Sequence, residues 1–101
     1  MIPEIDERRR ELEALCRSFG VRRLDVFGSA AADSFRDETS DLDFLVEFES
    51  PGPGYADRYF GLLEGLEALF GRPVDLVVAS AITNPYFRQS VDKTRALLYA
   101  A

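Results

Sequence analysis

Asp41 and Asp43 stand two residues apart at the head of an apolar run, DLDFLVEF, from Asp41 to Phe48. Side chains alternate across a strand, so in extended backbone both carboxylates point to one face. Two carboxylates held that close repel unless a cation lies between them. A site of oxygen ligands without His or Cys suits a hard cation, Mg²⁺ or Mn²⁺. An Asp-x-Asp pair alone is a weak signal, and two further features strengthen it. Gly28-Ser29 ends the preceding apolar run, with eleven residues between it and Asp41. Glycine lets a phosphate approach the backbone, and serine adds a hydroxyl beside it. Asp75 is the single acid in the apolar run VDLVVA, Val74 to Ala79. A buried carboxylate there is costly unless paired or metal-bound, and if this strand lies beside the one from Asp41, Asp75 can complete a triad. Phosphates at one end, metals in the middle and a third acid as base make the set that two-metal nucleotidyl transfer requires.

These residues need elements to hold them. Pro3 to Phe19 reads as one helix, with Leu12, Leu15, Cys16 and Phe19 in a single apolar stripe. Cys16 in that stripe reads as a small core hydrophobe. Val21 to Phe27 alternates as a first strand, followed by a short helical turn from Ser29 through Ala32 with Ser29 at its start. Asp33 to Ser40 reads as a loop, with Phe35 tucked beneath it. Asp41 to Phe48 is a second strand, core on the Leu42–Phe44–Val46–Phe48 face and half-covered on the other. Tyr55 to Phe70 carries a second helical stripe, in which Gly61 and Gly65 imply close packing against the sheet. Val74 to Ala79 is apolar enough to be a central third strand. Asn84 or Pro85 to Asp92 reads as a third helix capped by Thr83 or Asn84. Ala96 to Tyr99 is an edge strand or a partner contact. Of the apolar residues Tyr86, Phe87, Leu98 and Tyr99, at least half are expected in the core. The order predicts a small α/β (α+β) domain spanning residues 1–101. It has a mixed sheet of three to four strands and helices mainly on one face.

Composition narrows the chemistry. The 101 residues carry 12 basic and 18 acidic side chains, for a net charge of −6. That balance argues against general nucleic-acid binding but leaves room for a metal-bound nucleoside triphosphate. With no His, His-based triads, His general bases and most zinc sites are excluded. A single cysteine fits a reducing compartment, and the charged N-terminus is unlike a signal peptide. No apolar run approaches a membrane span. The expected location is cytoplasmic.

Gly-Ser, a gap of eleven residues, Asp-x-Asp on an apolar strand and a later strand Asp resemble the polymerase-β-type nucleotidyltransferase superfamily. The length, the phrase FGSAA…SDLDFLVEF and the ending NPYFRQSVDKTRALLY resemble the minimal nucleotidyltransferases (MNT), small antitoxin partners of HEPN-domain toxins. The resemblance implies a nucleotidyltransferase core and nucleotide binding by Gly28 and Ser29. It also implies metal ligation by Asp41 and Asp43, and a third carboxylate at Asp75. ATP is the implied substrate, Mg²⁺ or Mn²⁺ the cofactor, and AMP passes to a tyrosine of the HEPN RNase, with which the chain assembles. Many members carry a basic residue and a glycine after Gly-Ser, where this chain reads Ala30-Ala31-Ala32-Asp33. Arg36 or the partner chain is left to meet the triphosphate charge. Two alternatives stand beside this reading: a non-catalytic antitoxin that neutralises its toxin by docking, and a free-standing transferase acting on a small molecule.

Overall fold

In a computed structural model, residues 2–31, 41–50 and 52–101 are described. The predicted loop from Asp33, with Phe35 and Arg36, lies outside them. The elements run α1 (Pro3–Glu7), α2 (Arg9–Ser18), β1 (Val21–Phe27), β2 (Leu42–Phe48), α3 (Tyr55–Phe70), β3 (Val74–Val78), α4 (Pro85–Thr94) and β4 (Ala96–Ala100). Short 3₁₀ turns, Gly28–Ala30 and Ala79–Ala81, follow β1 and β3. The four strands form one mixed sheet in the order β3-β2-β1-β4. β1 pairs antiparallel with β2 and β4, while β2 and β3 are parallel.

Two apolar clusters hold the layers together. On one face Ile5, Leu12 and Cys16 of the N-terminal helices and Leu62, Leu66 and Phe70 of α3 pack on Leu24, Val26, Phe44 and Leu76. The rings of Phe44 and Phe70 stack with centroids 6.0 Å apart. Cys16 is fully buried, and burial pushes its thiol up to about 12. On the other face Val91 of α4 closes over Phe27, Leu45 and Ala79. Leu98 joins the core and Tyr99 packs against it, whereas Phe87 is 40% and Tyr86 80% exposed.

Four expectations change. The predicted helix over 3–19 breaks at Arg8, whose backbone leaves the helical region. The first turn is drawn aside because Ile5 is buried and the Ile2 N–H bonds the Ala30 carbonyl at 3.1 Å. The turn after β1 starts at Gly28, not Ser29, and no side chain caps it. β3 is an edge strand, not a central one. Its apolar sequence reflects cover on both faces, Leu76 beneath α3 and Val77 beside the α4 cluster. Gly61 and Gly65 face α2 rather than the sheet. A Cβ on Gly65 would lie 2.6 Å from Leu15, and one on Gly61 would overlap the ring of Phe19.

That contact yields an expected result. Gly61→Ala gains helix propensity of about 1 kcal/mol but forces the Phe19 ring away. The variant should be less stable by about 1–2 kcal/mol, read as a lower midpoint in thermal or urea unfolding. A raised midpoint would contradict the packing account.

Main-chain groups on the outer strands are met by helix side chains. Pro73 C=O accepts the Leu42 N–H, so the groups of Val74 and Leu76 turn the other way. Glu67 Oε2 accepts the Val74 N–H at 3.1 Å, and the Tyr59 hydroxyl donates to Leu76 C=O at 2.6 Å. On β4, Arg9 donates to the carbonyls of Leu98 and Leu97 at 3.2 and 3.4 Å.

Candidate active site

The strand register assembles the candidate residues. Asp43, the second residue of β2, lies opposite Phe27 on β1 and opposite Asp75 on β3. Residues opposite one another share a sheet face, so Phe27, Asp43 and Asp75 form one row. Asp41 precedes β2 and is exposed, Asp43 is partly exposed, and Asp75 is exposed. The expected burial of Asp75 is therefore not found. An edge strand leaves its carboxylate open to solvent, and what brings it into the site is register.

The three carboxylates act on one another. Asp43 is pushed up from 3.8 to about 6, first by burial, then by the charge of Asp75, then by that of Asp41. Two negative neighbours and partial desolvation all disfavour a second ionised oxygen pair in the row. Among the described residues no group of three His, Cys, Asp or Glu side chains is drawn together closely enough to hold a metal ion by itself. The aspartates instead make an open row of oxygen donors whose mutual repulsion a hard divalent cation would relieve, so the residues present fit Mg²⁺ or Mn²⁺.

The Gly28–Ser29 turn abuts this row. Gly28 has φ +72°, and a Cβ there would lie 2.7 Å from Asp43 Oδ2. Only glycine combines that conformation with that approach. The Gly28 N–H is already used: it donates to Thr94 Oγ1, the last residue of α4, at 2.8 Å. Gly28 C=O accepts the Ala31 N–H at 3.2 Å, which closes the turn and leaves Ser29 partly exposed at its middle.

Sequence reasoning missed three participants. Tyr59 packs against the core as its stripe implies, and what the stripe does not show is that burial and then the charge of Asp75 raise its phenol pKa. Asp25 reads as a polar residue on an alternating strand, yet it is fully buried between Arg23 and Arg95. Thr94 carries no local signal, because its partner Gly28 is 66 residues away. An apolar cleft of about 350 Å³, walled by Val77, Ile82, Asn84 and Phe87, lies along the same sheet face. Val77 is two residues beyond Asp75, and Phe87 packs edge-on to Phe27 with centroids 6.1 Å apart.

Gly28, Ser29, Asp41, Asp43 and Asp75 thus converge at one end of the sheet, and Arg36 lies outside the described residues. Residues 8–98 match the family model of a nucleotidyltransferase domain. A Methanocaldococcus jannaschii protein with the provisional name of a protein adenylyltransferase is 38% identical over 85 residues, 84% of each chain. A solved structure, provisionally named a minimal nucleotidyltransferase, superposes with a TM-score of 0.74 at 34% identity, covering 91% of this chain and 90% of its own. One chain in the structure of a tri-AMPylated Shewanella oneidensis HEPN toxin in complex with MNT antitoxin shares the fold. There the TM-score is 0.65 at 17% identity, covering 95% of this chain and 72% of that one.

Proposed function

The chain belongs to the nucleotidyltransferase domain family, and on that premise we propose that it transfers AMP from ATP to a tyrosine hydroxyl of a partner HEPN RNase toxin and so acts as an antitoxin. The observation that carries this reading is the row formed by Asp43 and Asp75 with the Gly28 turn against it. The relative named as an adenylyltransferase and the neighbour in complex with an AMPylated toxin support the same direction.

In this reading Asp41, Asp43 and Asp75 hold Mg²⁺ or Mn²⁺. The cation supplies neutralisation of phosphate charge and a lowered pKa for the attacking hydroxyl. Gly28 and Ser29 hold the triphosphate beside Asp43, and the role given to Arg36 is to meet its charge. The partner's phenol approaches from the β3 side, where the cleft walled by Val77, Ile82 and Phe87 accepts a flat apolar ring. Its oxygen forms a bond to the α-phosphorus, the bond to the β-phosphate breaks, and pyrophosphate leaves. Asp75, exposed at the strand edge, takes the phenolic proton.

The test uses labelled ATP, Mg²⁺ and a HEPN-domain RNase as the acceptor protein. Label should appear on the partner with the natural protein and vanish with Asp41→Asn/Asp43→Asn. A docking-only antitoxin is the second reading, favoured by the exposed aromatic side chains of Tyr86 and Phe87. It predicts that toxin neutralisation survives the double substitution unchanged.

A further inference from the structure

We propose that Thr94 is a nucleotide-positioning residue: with the buried Asp25–Arg95 pair behind it, it sets the Gly28–Ser29 turn that receives the phosphates. The inference rests on the nucleotide reading above and adds to it a residue from the far end of the chain.

The junction between α4 and β4 grips β1 and the turn after it, at one point each. Thr94 Oγ1 accepts the Gly28 N–H at 2.8 Å. The next residue, Arg95, leaves the helix in extended conformation and donates from Nε to Asp25 Oδ2 at 2.6 Å. Asp25 is fully buried and also receives Nε and Nη2 of Arg23 at 2.9 and 3.3 Å. Arg95 is held from its own side by Asp92 at 3.2 Å and by its N–H to Val91 C=O at 2.9 Å. Two consecutive residues at the end of α4 therefore bind Asp25 in β1 and Gly28 in the turn that follows it.

A buried, doubly paired carboxylate is a rigid anchor, because releasing either partner leaves a charge without water. Gly28 is the opposite, a residue free to sample several backbone conformations. Its carbonyl and N–H sit within the turn that abuts Asp43. Anchoring the N–H through Thr94 transfers the rigidity of the Asp25 pair to the turn at its first residue, where φ is +72°, beside the Ala31 N–H to Gly28 C=O bond that closes it. A nucleotide meeting a turn already in place loses less ordering entropy on binding. Thr94 then acts on affinity for the nucleotide and not on the acids.

Titration calorimetry with the non-hydrolysable analogue AMP-PNP and Mg²⁺ on the full chain tests this, together with hydrogen exchange at the Gly28 amide. Thr94→Val keeps the shape and removes the acceptor. It should weaken AMP-PNP about tenfold, the worth of one aligned hydrogen bond, and speed Gly28 exchange. Thr94→Ser restores the acceptor and should bind within about threefold of the natural chain. If Thr94→Val does not fold, Thr94→Ala replaces it. Equal affinity of the Val (or Ala) variant and the natural chain overturns the inference. So does equal weakening by Val and Ser, which would mark mere packing. If the natural chain itself fails to bind AMP-PNP, the nucleotide reading falls, and the exchange data still decide whether Thr94 holds Gly28.

Discussion

Asp43→Asn should abolish transfer and yet stabilise the ligand-free protein. The loss of activity is expected to reach about a thousandfold, because the substitution removes a charged ligand from the centre of the acidic row. The gain in stability follows from linkage. Asp43 binds its proton up to about 6 in the folded chain, against 3.8 ordinarily. Between those values the folded state holds more protons than the unfolded state. Stability therefore falls as pH rises from 3.8 to about 6 and stays lower above it. Asparagine does not ionise and avoids that fall. At pH 8 the variant should be more stable by about 1–2 kcal/mol, the full worth of the shift being reduced by solvent screening at a partly exposed group. Melting curves at pH 4 and pH 8 check the sign: the two proteins should converge at the lower pH and separate at the higher. A variant less stable than the natural chain at pH 8 would mean that Asp43 is favourably paired, and the crowded-carboxylate account would fall.

Gly28→Ala is expected to have the second-largest effect, and Gly71→Ala is its control. Both glycines have positive φ, +72° and +66°. Alanine at either position meets backbone strain of about 1–2 kcal/mol. The surroundings differ. A Cβ at Gly71 meets nothing within 4 Å, whereas one at Gly28 lies 2.7 Å from Asp43 Oδ2. The strain is shared, and the displaced carboxylate belongs to Gly28 alone. Both variants should melt lower by similar amounts, and only Gly28→Ala should lose transfer, by about a hundredfold. Comparable activity in the two variants would separate the turn from the chemistry.

Much of this was legible along the chain. The spans Val21–Phe27 and Tyr55–Phe70 have the bounds that alternation and helical spacing predict. Asn84 caps α4 as expected, its Oδ1 accepting the N–H groups of Tyr86 and Phe87. The pairing of Gly28-Ser29 with Asp41 and Asp43 was visible because a strand, a turn and the next strand are local objects. What stayed hidden depends on neighbours distant in sequence. Cover on both faces makes β3 apolar, and apolarity says nothing of whether a strand has one neighbour or two. The exposure of Asp75 follows from that edge position. The break at Arg8 has no glycine or proline to announce it, since tertiary burial of Ile5 drives it. Gly61 and Gly65 signalled a close approach but not whose. The anchor on Gly28 joins residues 66 positions apart, and periodicity does not reach that far.

The helix side chains that meet the outer strands have a consequence for assembly. An open sheet is a template, and a bare margin invites another strand to extend it. Here Glu67 and Tyr59 occupy main-chain positions on β3, and Arg9 occupies two carbonyls on β4. Main-chain groups on both outer strands are thus engaged from within the chain. A second copy, or a partner, would have to evict those side chains before it could add a strand. Growth into a ribbon is discouraged at both ends of the sheet.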